Sequence, residues 1–454
     1  MARGKRKNSP TDAAASAERS AGGRTGAARG AKKSAAKRQG KPKHAAGAGR
    51  TKGASPRHAA SAEAKSASSR PAEGADEASA ADAGRKVVDA SGNAIDLAQI
   101  RIRIDSVDEK IHEFISERAK LAQLVGISKA KDGLKTVDFY RPEREAQVLR
   151  MAKARNKGPL RDEEVLRLFR EIMSACLAQQ EPLKVAYLGP EGTFTQAAVM
   201  SHFGHSVRGL ALSAIDEVFH EVEAGNADFG VVPIENSTEG TINNTLDRFL
   251  NSPLKICGEV ELRIHHNLMG DLSSLDQIKR ICSHPQALAQ CRAWLEEHLP
   301  DVERVPVSSN AEGARRARDE KGTAAIAGEA AAEVYKLKIL AAEIEDRADN
   351  TTRFFVLGRK LFKSSGNDRT TLLISVGRTD TSGALFHLLE PLSRHKVNMT
   401  RIESRPSHKR KWDYVFFIDI DGHADDEHVA EALEALKERA SLFRVLGSYP
   451  RAVL

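Results

Sequence analysis

Phe, Tyr and Trp make up only 5% of the 454 residues, and none falls within the first 90. No Val, Leu or Ile precedes Val87. A stretch without such side chains cannot bury enough apolar surface to offset chain entropy, so residues 1–90 are expected to form a disordered extension. Cysteine is almost as scarce. Cys176, Cys257, Cys282 and Cys291 show neither metal-ligand nor redox spacing, which fits a reducing compartment and a cytoplasmic protein. No apolar run approaches the roughly 20 residues that cross a bilayer, and the amino terminus lacks the apolar core of a secretory signal. A protein neither exported nor membrane-embedded is expected.

The net charge of +8 conceals an asymmetry, because residues 1–84 hold 18 Lys and Arg against 7 Asp and Glu. That segment alone carries +11, which leaves −3 for the remainder. The folded part therefore offers no electrostatic reason for nucleic-acid binding. A basic tail can serve as an organelle presequence or as a tether to anionic polymers; a solvated extension is the simpler reading.

From Leu97 the pattern changes. Ile100, Ile104, Val107, Ile111, Phe114, Ile115, Leu121 and Val125 recur every three or four residues, which predicts one amphipathic helix running to about Lys131. At 1.5 Å per residue it spans roughly 50 Å, too long for its own small domain to cover. An intertwined helical homodimer or higher oligomer is the expected solution. Helices near 141–156 and 162–180 follow, separated by Gly158 and Pro159. After Pro182 short apolar runs alternate with helical ones, which marks an α/β domain with strands near 229–234, 278–282, 323–327 and 354–357. Residues 370–454 read as a ferredoxin-like βαββαβ module.

On the long helix Arg118 and Lys129 lie 11 residues apart, which places them within roughly 20° on one face. Arg101 falls about 100° from Arg118 and suits a pocket of another protomer. Arg144 sits on the second helix, and Cys176 and Gln180 share a face of the third. This constellation, with Asp108-Glu109-Lys110 and Pro142-Glu143-Arg144-Glu145, resembles the all-helical chorismate mutase family over about residues 95–180. The resemblance implies that Arg118, Arg144 and Arg101 hold substrate carboxylates, that Lys129 and Gln180 donate to the ether oxygen, and that Glu145 and Cys176 complete the pocket. Two positions depart from the family pattern: an acidic residue is replaced by Arg141 and a hydroxyl by Cys176.

In the α/β section Val231-Val-Pro-Ile-Glu-Asn-Ser-Thr238 turns from apolar strand to polar cluster, as strand ends that line ligand clefts do. Gly189-Pro-Glu-Gly-Thr-Phe-Thr195, Ser283-His-Pro-Gln286 with Gln290, and Asn350-Thr-Thr-Arg353 are further polar breaks. Their order is similar to prephenate dehydratase, which implies two lobes like a periplasmic binding protein closing on prephenate. Thr352 would then be the principal catalytic residue, and Thr193, Glu235, Asn236, Ser237, Ser283, Gln286, Gln290 and Arg353 would surround the substrate, Arg353 holding a carboxylate. His265 and His266 could suggest a metal pair, but adjacent strand residues face opposite ways. No cofactor or metal is expected.

Gly383-Ala-Leu385 opening a helix and Glu403-Ser-Arg-Pro406 on a strand resemble the phenylalanine-binding segments of ACT regulatory domains. Gly383, Ala384, Leu385, Glu403, Ser404 and Arg405 are thus the expected effector residues. The expected division is a tail at 1–90, an all-α mutase domain at 91–181, an α/β dehydratase domain at 183–362 and an α+β regulatory domain at 368–454. The implied activity runs from chorismate through prephenate to phenylpyruvate, under inhibition by phenylalanine. A non-catalytic amino-acid sensor and an arogenate-preferring dehydratase are the alternatives.

Overall fold

The structure, a computed structural model, describes residues 86–88, 94–131, 140–179, 182–376, 382–407 and 413–453. The expected tail lies almost wholly outside the described residues. Its boundary needs correction, because β1 (Lys86–Val88) pairs antiparallel with β2 (Ala94–Asp96), Val87 opposite Ile95. Val87 and Val88 are the first branched aliphatic residues of the chain, and they lie within this pair.

Helix α1 (Leu97–Lys131) opens on Asp96, whose carboxylate accepts from the Ala98 amide at 3.3 Å. Proline at the first position starts α2 (Pro142–Arg155), and Asp162, Glu163 and Glu164 complement the dipole of α3 (Asp162–Ala178). The apolar stripe of α1 is uncovered: Phe114 is 66% exposed, Leu124 61%, and Ile104, Val107, Ile111 and Leu121 are also exposed. Burying each such side chain is worth about 1.5–3 kcal/mol, so this face calls for a cover.

The next section folds as two α/β lobes. The first is built on β3 (Lys184–Leu188), β4 (Arg208–Leu212), β5 (Phe229–Asn236), β6 (Gly240–Thr241), β7 (Lys255–Arg263) and a later strand. Helices α4 (Phe194–Phe203), α5 (Ile215–Ala224) and α6 (Asn243–Phe249) connect them. The second lobe holds β8 (Asn267–Gly270), β9 (Arg280–Ser283), β10 (Glu303–Pro306), β11 (Thr323–Ala327) and β12 (Lys338–Ala341). Its helices are α7 (Pro285–Gln290), α8 (Arg292–His298), α9 (Asn310–Asp319) and α10 (Glu329–Tyr335). The chain then returns to the first lobe in β13 (Thr351–Gly358), giving strand orders β4-β3-β5-β13-β7 and β10-β9-β11-β8-β12. Only two crossings, at 264–266 and 342–350, join the lobes.

Strands β14 (Asp368–Ser375), β15 (Met399–Pro406), β16 (Tyr414–Asp421) and β17 (Leu442–Pro450), with helices α11 (Ala384–Arg394) and α12 (Glu427–Arg439), form the βαββαβ module, its sheet ordered β15-β16-β14-β17. This module shares a core with the first lobe: Leu373, Val415, Phe417, Leu446 and Tyr449 pack in one cluster with Ile234, Ile256, Phe355 and Leu357. Backbones meet directly at Gly447, where a β-carbon would strike the Ile256 carbonyl. Neither strand can yield without losing its ladder bonds. Gly447→Ala is accordingly expected to cost about 1–3 kcal/mol, read as a lower urea midpoint with an unchanged slope.

Candidate functional site

In the helical domain a cavity of about 560 Å³ is lined by Arg118 of α1, Arg144 and Glu145 of α2 and Cys176 of α3. Four of the expected mutase residues are thus brought together. Arg101, on the exposed half of α1, does not line it. Gln180 and the side chain of Lys129 lie outside the described residues. Burial lifts the Glu145 carboxyl to about 7, against the pull of Arg170 and Arg118. Tyr140 closes the wall toward α4 and bonds His202 Nε2 at 2.9 Å. Burial lowers His202 to about 3, so the ring is neutral.

In the two-lobed domain β5 and β13 lie side by side, Thr352 opposite Asn236 and Arg353 opposite Glu235. The Asn236 oxygen accepts from the backbone amides of Thr238 and Glu239 at 3.0 and 3.1 Å and from the Thr238 hydroxyl at 2.6 Å. Those donors fix the amide orientation. Asn236 Nδ2 therefore donates to Thr352 Oγ1 at 2.8 Å and to Asn350 Oδ1 at 2.9 Å. With a lone pair of Thr352 so engaged, its hydroxyl hydrogen is the part left to donate. Gln290, at the end of α7 on the other lobe, reaches across: its Nε2 lies 3.2 Å from Thr238 Oγ1, and its Oε1 accepts from Asn350 at 3.3 Å. Thr352, Asn236 and Asn350 are buried.

Several expectations require correction. Arg353 does not face the cleft. Its side chain, 11% exposed, bonds Glu259 at 2.7 Å, Asp419 at 2.6 Å and the Tyr449 hydroxyl at 3.1 Å, on the side of the βαββαβ module. Glu235 likewise turns away, to Arg401 at 3.0 Å. The cause is strand alternation: β13 begins at Thr351 and β5 runs on through Asn236, so each neighbour of a cleft residue points to the opposite face. Ser283 is fully buried, donating to the Ile326 carbonyl at 2.7 Å, and stands behind the site. The Ser237 hydroxyl is engaged by the backbone of Asp349 and Thr351 at the crossing. Thr193 caps α4, accepting from the Gln196 amide, and Gln286 lies half-exposed on the first turn of α7.

Gly383, at φ +75°, precedes Ala384 and Leu385 of α11, a backbone conformation that favours glycine. On β15, Glu403 accepts from Thr241 Oγ1 at 2.9 Å and Arg405 holds Asp247 at 2.8 Å, so both face the first lobe while Ser404 is exposed. The sequence reading names Asn350, Thr238 and His266 without giving them a substrate-site role. His265 turns to Glu345 at 2.8 Å and His266 to Gln290 at 2.8 Å. Among the described residues no cluster of three or more His, Cys, Asp or Glu is placed to hold a metal ion. A cleft of about 890 Å³, lined by α2, α3, the first lobe and α10 of the second, includes Thr193 and Phe194. Asn236, Thr352 and Gln290 do not line it.

A prephenate dehydratase family model matches residues 185–361, a chorismate mutase type II model residues 100–181 and an ACT domain model residues 372–438. The chain is 55% identical over 362 residues to a bifunctional chorismate mutase/prephenate dehydratase of Pseudomonas aeruginosa, covering 79% of this chain and 98% of that protein. It is 50% identical to one of Neisseria gonorrhoeae, covering 78% and 97%. The structure of a prephenate dehydratase in complex with L-Phe from Arthrobacter aurescens superposes with a TM-score of 0.55 at 38% identity, covering 60% of this chain and 90% of that one. A protein described as a novel type of quorum quenching acylase gives the same TM-score at 30% identity, covering 59% and 98%, so this fold alone does not fix the chemistry. Identity that runs through the helical, two-lobed and βαββαβ parts together does: the chain belongs to the family of bifunctional chorismate mutase/prephenate dehydratases.

Proposed function

We propose that residues 91–181 rearrange chorismate to prephenate, that 183–362 convert prephenate to phenylpyruvate, and that 368–454 bind phenylalanine as inhibitor, in a cytoplasmic homo-oligomer. The observation that carries this reading is the joining, in one chain, of an arginine-lined helical cavity to the Thr352–Asn236 pair at a two-lobed crossing. Among the described residues no helix is long and apolar enough to cross a membrane.

The first reaction is unimolecular and needs no nucleophile. Arg118 and Arg144, with Arg101 of a second copy, clamp the carboxylates, while Lys129 and Gln180 stabilise charge developing on the ether oxygen. A millionfold acceleration requires about 8 kcal/mol, and one such donor supplies about 3–4, so two donors with the clamps suffice. In the second reaction loss of CO2 and of the ring hydroxyl creates an aromatic ring, which supplies the driving force. Thr352 donates to the departing oxygen, held by Asn236; Gln290 and Thr193 bind the remainder of the substrate. The effector sits against Gly383, Ala384, Leu385 and Ser404.

Supplying chorismate to the purified protein should yield prephenate and then phenylpyruvate, the second step falling on addition of phenylalanine. Thr352→Ala is expected to lower dehydratase turnover by about 10²–10⁴-fold while mutase turnover in the same sample stays unchanged; equal loss of both would reject the assignment. Because the folded pocket holds the Glu145 proton more tightly than solvent does, the neutral acid prevails below about pH 7 and the carboxylate above it. A carboxylate beside a dianionic substrate repels it, so mutase KM should rise through pH 7. Glu145→Gln should flatten that limb of the profile. Introducing Asp at both Ile111 and Phe114 should reduce the sedimenting mass and the mutase rate and spare the dehydratase; an unchanged mass would remove the second copy from the account of α1.

A further inference from the structure

His266 is buried at the second-lobe end of the crossing, 2% exposed, and enters none of the roles above. Its Nε2 lies 2.8 Å from Gln290 Oε1, and its Nδ1 is buried without a hydrogen-bond partner. The protonation pattern follows from the backbone outward. Two main-chain amides fix the Asn236 oxygen, Asn236 Nδ2 then fixes Asn350 Oδ1 as acceptor, and Asn350 Nδ2 is left to donate to Gln290. The Gln290 atom facing His266 is therefore the carbonyl, and only an N–H on Nε2 can satisfy it. Burial also lowers the affinity of the ring for a second proton. Phe194 holds the imidazole edge-to-face at 5.6 Å, and is itself seated on Gly328, where a β-carbon would collide with its ring.

We infer that His266 is a positioning residue of the dehydratase reaction: its Nε2–H locks the Gln290 carboxamide so that the amino group projects toward Thr238 and the substrate. Asn350, at 3.3 Å, holds that carboxamide less closely than His266 does. With two donors on the carbonyl, one amide hydrogen goes to Thr238 and the second is presented to an acceptor oxygen of the substrate, a carboxylate or the ring hydroxyl. Loss of the histidine donor frees the carboxamide to rotate. The inference rests on the reading of Gln290 as a substrate contact.

The test compares His266→Gln with His266→Asn in the full chain, assayed with prephenate for dehydratase and with chorismate for mutase. The Gln amide nitrogen falls where Nε2 stood, whereas the Asn nitrogen falls near Nδ1 and cannot reach Gln290. Gln should stay within about threefold of the parent; Asn should lose roughly 10–100-fold in kcat/KM, carried mainly by KM, at constant mutase rate. In a Gln290→Ala background His266→Asn should cost nothing more. Equal behaviour of the two variants, or a full further loss in the Gln290→Ala background, overturns the positioning role alone. A Gln290→Ala chain with unaltered dehydratase kinetics overturns the reading of Gln290 and this inference with it.

Discussion

Side chains on an extended strand alternate, and the arrangement of the Thr352–Asn236 cluster at the crossing depends on that constraint. Thr352 and Asn236 meet on one face of the β5–β13 pair; Arg353 and Glu235, their immediate neighbours, meet the regulatory sheet on the other. A pair of antiparallel strands thereby serves two compartments with no residue between them. Burial makes the rear contacts consequential. Asp419 and Glu259 are almost wholly excluded from solvent, and Arg353 supplies them with a counter-charge. Removing one member of such a set leaves a buried charge uncompensated, typically at about 3–5 kcal/mol.

The apolar contacts repeat the same theme. Phe355, the next residue but one after Arg353, belongs to the cluster that also holds Leu373, Val415, Phe417 and Tyr449. Regulatory and catalytic modules are thus not beads on a string but one packed body with a common interior. Glu235 and Arg353 share peptide bonds with Asn236 and Thr352. Any shift of β15 or β16 that displaces Arg401 or Asp419 therefore pulls on the backbone that carries the Thr352–Asn236 pair.

Much of this was legible in the sequence because it rests on local chemistry. Period-3.6 spacing located α1 from Leu97 to Lys131, and the polar breaks after apolar runs pointed to the strand ends at Asn236 and Thr352. The errors share one origin. The sequence places Thr352-Arg353 and Glu235-Asn236 just beyond strand ends, free to converge on one ligand, whereas the structure extends both strands through them. Strand alternation, expected of His265 and His266, fails there because both lie on the crossing between β7 and β8, and it governs Thr352 and Arg353 instead. His266 and Asn350, though named, receive no such role from the sequence, because it comes from which amide end faces which, a property of long-range contacts that no local pattern carries.

The uncovered stripe of α1 sets the two halves of the chain apart in how they respond to concentration. The two-lobed and βαββαβ parts hold their cores within one chain, though Phe386 stays 69% and Leu361 56% exposed, so those cores do not depend on dilution. The mutase cavity borders a helix whose apolar face no segment of the described chain covers. With a second copy as the cover, its stability obeys mass action and gains with the logarithm of the protomer concentration. One polypeptide then houses an intramolecularly folded catalyst and a second catalyst whose completeness depends on how many copies surround it.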